Sequence, residues 1–168
     1  IRAVGMSGAD SRLIQVEKRP LWHLEDQEVD FGHVGDFVQA DVTALQALLQ
    51  AGVLPVVCPP GVDAQGKLYN INADTVALEL ASAIQADELI LVPESGGVLD
   101  ANQHPIRRLR PQHAIEGVGS GWIAGGMKVK TDIGFEALNR GVSSVWIVAL
   151  GSVSSKQKGT QLIGGHHV

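Results

Sequence analysis

Two stretches of the chain carry residue types that could do chemistry on an anion. The first is Asn70, Asn72 and Asp74, three short polar side chains set just ahead of an apolar run. The second is Lys128 and Lys130, behind a stretch that holds Gly117, Gly119, Gly121, Gly125 and Gly126. The run after Asp74 repeats at helical spacing, with Val76, Leu80 and Ile84 on one face and Ala77 and Ala81 beside them. Residues 73–86 therefore read as an amphipathic helix with Asp74 in its first turn. Asn or Asp at that place has two uses. It caps the orphan N–H groups of the first turn, or it helps to orient a phosphate drawn to the helix N-terminus. The glycine stretch is equally two-sided. It is a mobile linker, or a loop whose backbone amides approach phosphates. It is not a Walker A loop, because Met127 follows Gly126 where that pattern needs lysine, and it does not spell the dinucleotide fingerprint. Lys130 is a solvated surface lysine on one reading and a phosphate-facing cation on the other. Taken alone, these residues define a phosphate-handling α/β domain.

Alternating elements must position them. Ile1 to Met6 and Leu13 to Val16 read as short strands, and Trp22 to Asp30 as a loop or hairpin edge. Asp41 to Ala51 reads as a helix with Asp41 as candidate cap, a stripe of Leu45, Leu48 and Leu49, and Gly52 at its end. Val53 to Cys58 is then a buried strand with Pro55 near its start. Asp63 to Lys67 is a hairpin tip that delivers Tyr69 to Asn72 into the polar cluster. Glu88 to Val92 has the apolar character of a parallel strand. The loop after it, Pro93 to Gly97, lies at a strand's carboxyl end, where open α/β sheets bind ligands. Pro111 to Glu116 is a short helix. A helix over roughly 127–139 places Ile133 and Ala137 on one face with Lys130, and residues 145–150 form another buried strand. Strands alternating with helices give a single α/β domain over residues 1–168, with a mainly parallel open sheet flanked by helices as a three-layer sandwich.

Composition narrows the function classes. A chain of 168 residues, 45% apolar and 18% charged, buries a real core. The net charge of −5 argues against nucleic acid or an acidic membrane as the main partner. Cys58 is the only cysteine, so no intrachain disulfide forms, and its place after an apolar run predicts a reduced core residue. No stretch is apolar enough to span a bilayer and the start is not signal-like, so the cytoplasm is the default location. His166 and His167 are too terminal for a metal site and read as a frayed end. No metal-ligand set is assigned.

Asn70-Ile71-Asn72-Ala73-Asp74, Leu89-Ile90-Leu91 with Gly97-Val98-Leu99-Asp100, and Gly125-Gly126-Met127-Lys128-Val129-Lys130 together resemble acetylglutamate kinases of the amino-acid kinase family. Val4 to Asp10 and Gly159 to Ile163 fit the same family. Asp30-Phe31-Gly32 copies a protein-kinase tripeptide by chance, because the other motifs of those enzymes are absent. With the three residues after it, it is similar to a glycine-bearing segment of acetylglutamate kinases. The resemblance implies phosphoryl transfer from ATP, with Mg²⁺, to N-acetyl-L-glutamate in arginine biosynthesis. It implies that Lys130 acts on the transferring phosphoryl group, that Asp74 orients lysines, and that Asn70, with Asn72 beside it, contacts the acyl-amino-acid. It implies nucleotide contacts from Pro93, Glu94, Gly97, Gly125, Gly126 and Met127, and a homo-oligomer. It also implies roughly another half-domain of chain before Ile1, holding a second phosphate lysine and most of the substrate pocket.

Two features depart from the family pattern. Pro93 and Glu94 stand where similar enzymes have Ser or Thr followed by Asp, and proline donates no backbone hydrogen bond. Between Leu150 and Gly159 similar kinases have a longer segment with a helix. Two alternatives follow: a relative acting on an aminoadipate derivative, and a nucleotide-binding regulatory domain without turnover.

Overall fold

In a computed structural model, residues 1–24 and 27–164 are described; His166 and His167 lie outside them. Contacts gather into two compact units, residues 1–84 and 85–168.

In the first unit, β1 (Arg2–Ser7) lies parallel to β6 (Val53–Cys58), with Arg2 opposite Val53 and Ser7 opposite Cys58. A second sheet has the order β5-β2-β7-β8, from β2 (Ile14–Lys18), β5 (Gly35–Ala40), β7 (Gly61–Val62) and β8 (Leu68–Tyr69). Between β2 and β5, β3 (Trp22–Leu24) and β4 (Gln27–Val29) form an antiparallel hairpin. The Asp63–Lys67 tip is as the sequence suggests: the Asp63 carboxylate accepts from the N–H groups of Gln65 and Lys67, and Gly66 has φ +84°. Helix α1 (Thr43–Gln50) joins β5 to β6, and α2 (Ala73–Ala83) follows β8. Their apolar faces meet β2 in a core of Leu13, Ile14, Val16, Leu45, Tyr69 and Val76.

Several expectations change here. Val42, not Asp41, is the N-cap of α1, although the Asp41 carboxylate still accepts from the Thr43 N–H at 3.1 Å. Of the leucine stripe only Leu45 is buried. Strand β6 is partly covered on one face only: Leu54 and Val56 are 47% and 57% exposed, and Cys58 is exposed, not a core residue. The cause is alternation. Val53, Pro55 and Val57 point to the partly covered side, while the next residues point to the open face of a two-stranded sheet. The Asp30-Phe31-Gly32 tripeptide is a turn. The Asp30 carboxylate accepts from the Gly32 N–H at 2.8 Å and pairs with Lys18 at 3.0 Å, and these bonds hold its pKa below the usual carboxylate value.

The second unit is built on a sheet of order β10-β12-β11-β9. Strands β9 (Glu88–Leu91) and β11 (Ser144–Ile147) are parallel, with Glu88 opposite Ser144 and Leu91 opposite Ile147. Strand β12 (Thr160–Leu162) runs antiparallel to β11 and parallel to β10 (Arg108–Leu109). Between β9 and β11 the chain passes through β10, α3 (Pro111–Gly119) and α4 (Gly125–Asn139). The class is α/β, with parallel pairs in three of four sheets. Among the described residues, antiparallel pairs alternate with the parallel ones within the two four-stranded sheets.

Helix boundaries also move. Strand β11 stops at Ile147, and Leu150 is exposed in a 3-10 turn over Leu150–Ser152. Helix α2 stops at Ala83, because Gln85 takes φ +52°. The buried stripe of α4 is Thr131, Gly134 and Ala137 rather than Ile133 and Ala137. Gly134 explains why: an added Cβ there would overlap Leu162 Cδ1 and lie 3.1 Å from Val145. The helix sits so close to β11 and β12 that no side chain fits between them.

Gly134→Ala should therefore destabilise the protein by about 1–3 kcal/mol through overpacking. Gly126→Ala, where a Cβ meets open space, should leave the melting temperature near that of the parent protein. Thermal denaturation of both variants checks this, and equal melting temperatures would show that α4 has room to spare.

Candidate functional site

The site begins where β9 ends. After Leu91 the chain turns, and the Gly96 N–H donates to the Pro93 carbonyl at 3.2 Å. Gly96 has φ +80° and packs on Ala149. Gly97 is wedged against the next strand: a Cβ there would lie 2.7 Å from the Lys158 carbonyl. Only glycine allows so close an approach. An excursion from Val98 to Ile106 follows, closed by the Ile106 N–H on the Val98 carbonyl at 2.9 Å. Within it the Asp100 carboxylate accepts from the N–H groups of Asn102 (2.8 Å) and His104 (2.9 Å).

The facing wall comes from the glycine stretch, which is not one loop. Gly117 and Gly119 belong to α3, and Gly125 and Gly126 open α4. Only residues 120–124 connect the two helices. Trp122 folds back over Gly117, where a Cβ would touch the indole at 2.6 Å, and its ring meets His113 edge-on at 5.2 Å. No side chain caps the α4 N-terminus. An open helix end of this length presents backbone N–H groups and a partial positive charge.

Ser95, Gly97, Leu99 and Gln103 on one side, with Trp122, Ala124 and Met127 on the other, enclose a cavity of about 240 Å³. A strand's carboxyl end and a helix N-terminus thus share one space, the arrangement that suits a phosphorylated ligand. A roomier apolar groove of about 310 Å³ lies between α3 and α4. No residue of the Pro93–Gly97 turn that follows β9 lines it, so its size does not make it the better candidate.

Of the nucleotide residues read from sequence, Gly97 and Met127 line the cavity, and Gly125 and Gly126 stand at the head of α4 beside Ala124. Pro93 and Glu94 belong to the turn before it and are not in its lining. Ser95, Leu99, Gln103 and Trp122 also line the cavity and were not singled out individually in the sequence. Trp122, a large aromatic set among glycines, was the available signal. Lys130 is half-buried in the second turn of α4, and Lys128 is paired with Asp132 at 2.6 Å.

The polar cluster lies in the first unit. Asn70 is exposed, and its backbone is clamped by two bonds: its N–H to the His33 carbonyl (2.7 Å) and its carbonyl from the Gly35 N–H (2.8 Å). Asn72 is the N-cap of α2 and accepts from the Asp74 N–H at 2.8 Å. Asp74 is half-buried in the first turn and is not the cap. A carboxylate there is favoured by the helix end. Among the described residues no group of three His, Cys, Asp or Glu side chains could cage a metal ion, and no helix is long and apolar enough to cross a membrane.

The fold and the cavity define a class. The model of the amino acid kinase family matches residues 1–149, and the chain belongs to that family. Within it, the chain is similar to acetylglutamate kinases. It is 39% identical over 152 residues to that of Zymomonas mobilis, covering 88% of this chain and 50% of that one. It is 38% identical over 154 residues to that of Methanocaldococcus jannaschii, covering 88% and 51%. The chain spans about half the length of the curated relatives it matches. Among solved structures, N-acetylglutamate synthase from Neisseria gonorrhoeae, complexed with coenzyme A and L-arginine, superposes with a TM-score of 0.80 at 21% identity, covering 98% of this chain and 38% of that one. Giardia carbamate kinase does so at 0.70 and 12% identity, covering 98% and 63%. These two likenesses concern the fold alone.

The Asp100 turn on the cavity wall carries a pH signature. The His104 N–H, seconded by that of Asn102, holds the Asp100 carboxyl below its ordinary value of 3.8. The folded value is the lower one, so the turn's contribution is complete above 3.8 and fades as pH falls through the depressed value. The amide resonances of Asn102 and His104 should titrate with a midpoint below 3.8. A midpoint at or above it would mean that the carboxylate does not hold this turn.

Proposed function

We propose that this chain supplies the nucleotide-binding portion of an acetylglutamate kinase. The protein would transfer the γ-phosphoryl group of ATP to the side-chain carboxylate of N-acetyl-L-glutamate, a step of arginine biosynthesis in the cytoplasm. The observation that carries this reading is the cavity that joins the carboxyl end of β9 to the N-terminus of α4, with Lys130 one turn further along that helix. Similarity to acetylglutamate kinases supports this choice of acceptor.

In the reaction a carboxylate oxygen attacks the γ-phosphorus, and the bond to the β–γ bridging oxygen breaks. Acylphosphate and ADP leave. The protein's work is positioning and charge neutralisation. Gly97 and Met127 wall the nucleotide, and the Gly125 and Gly126 amides face its phosphates. Pro93 and Glu94 shape the approach. Lys130 neutralises charge on the transferring group. Asp74 orients lysine, and Asn72 holds Asp74's turn. Asn70, with its backbone fixed and its side chain exposed, contacts the acyl-amino-acid beside Asn72. Mg²⁺, if bound with ATP, would supply positive charge to its phosphates. The family relationship also favours a homo-oligomer. A second reading, a module that binds nucleotide without turning it over, draws on Pro93, which contributes no N–H to the strand-end turn.

Two substitutions in the intact protein carrying this sequence test the roles. Lys130→Ala should lower kcat by about 10²-fold or more while ATP affinity changes little, as for other groups that act on transition-state charge. Asp74→Asn should keep the melting temperature, because Asn72 caps the helix, and yet lose turnover. Normal acetylglutamate phosphorylation by either variant would strip that residue of its role. Nucleotide binding without phosphorylation by the parent protein would favour the second reading.

A further inference from the structure

The excursion from Val98 to Ile106 contributes Leu99 and Gln103 to the cavity, yet its residues are mostly surface-facing and it turns through Gln103 at φ +64°. Something must hold its base. One side chain does so from another strand. Thr160, fully buried at the start of β12, accepts from the Val98 N–H at 2.8 Å through Oγ1 and donates to the Ile106 carbonyl at 2.6 Å. A single hydroxyl thus ties both legs of the excursion to the sheet. The same strand start forms the back wall for Gly97, whose Cβ position lies 3.0 Å from Thr160 Oγ1. Arg107, just past the excursion, fastens the neighbouring turn by donating to the carbonyls of Lys156 and Gly159, each at 3.2 Å.

We infer that Thr160 is a positioning residue for the nucleotide cavity: its hydroxyl fixes the Val98–Ile106 excursion so that Leu99 and Gln103 face the ligand. The inference rests on the nucleotide reading proposed above. Thr160 lines no part of the cavity itself, so its effect passes through the loop. Losing the hydroxyl strands a buried N–H and a part-buried carbonyl, which a valine of the same shape cannot satisfy. The excursion then adopts other arrangements, and only a fraction of them bind.

The test compares Thr160→Val and Thr160→Ser with the parent chain, by calorimetric titration with MgADP and by amide hydrogen exchange. Thr160→Val should weaken MgADP binding about tenfold or more, as expected when a buried N–H and a part-buried carbonyl are left unpaired. Its Val98 amide should exchange about tenfold faster while the Leu89 and Leu91 amides of β9 keep their protection, the pattern of local opening. Thr160→Ser retains the hydroxyl and should restore both. Parent-like binding by Thr160→Val, or unchanged exchange at Val98, overturns the inference. So does loss of cooperative unfolding in Thr160→Val, because the residue would then hold the whole unit rather than the loop. If the parent chain itself fails to bind MgADP, the nucleotide reading falls, and the exchange comparison alone decides whether Thr160 holds the excursion.

Discussion

The close approach of α4 to its sheet is the constraint on which the candidate site depends. Thr131, Gly134 and Ala137 are small enough to bring the helix backbone against Val145 and Leu162. With that contact fixed, the head of the helix is fixed too. Gly125, Gly126 and Met127 come to lie across a cavity from the end of β9. Parallel pairing of β9 with β11 sets the other side, because Leu91 and Ile147 end their strands together and the Val148 N–H donates to the Leu91 carbonyl. Packing and pairing thus place a helix N-terminus opposite a strand's carboxyl end before any ligand arrives, which is the preorganisation that electrostatic catalysis requires.

The two units are built by different means. In the second unit the cavity is made by backbone proximity, through glycines at 97, 117 and 134 that each admit a neighbour where a side chain would collide. In the first unit the polar cluster is made by hydrogen bonds. Asn70 is clamped through its main chain to residues 33 and 35, and Asn72 closes the first turn of α2.

Much of this was legible in the sequence where period or spacing carries the signal. The 3.6-residue repeat after Asp74 located α2, and the apolar run at 88–92 located β9. The strand-end rule points to the Pro93–Gly97 loop, of which Ser95 and Gly97 line the cavity. What stayed illegible depends on contacts between distant residues. Two-residue strands such as β10 have no period to read, and β12 is little longer. Gly117 and Gly126 look alike in the chain, but one supports an indole and the other opens a helix. Cys58 follows an apolar run as core residues do, and only the open face of its sheet exposes it. The division of labour between Asn72 as cap and Asp74 as a carboxylate held beside it needed the hydrogen bond at 2.8 Å.

The central claim is that an adenine nucleotide occupies the space between the end of β9 and the head of α4. Photolabelling with an azido-substituted ADP, followed by peptide mapping, tests it most directly. Adducts that unlabelled ADP competes away should fall within residues 95–103 and 122–127. Competed adducts confined to the apolar groove between α3 and α4, or none at all, would contradict it.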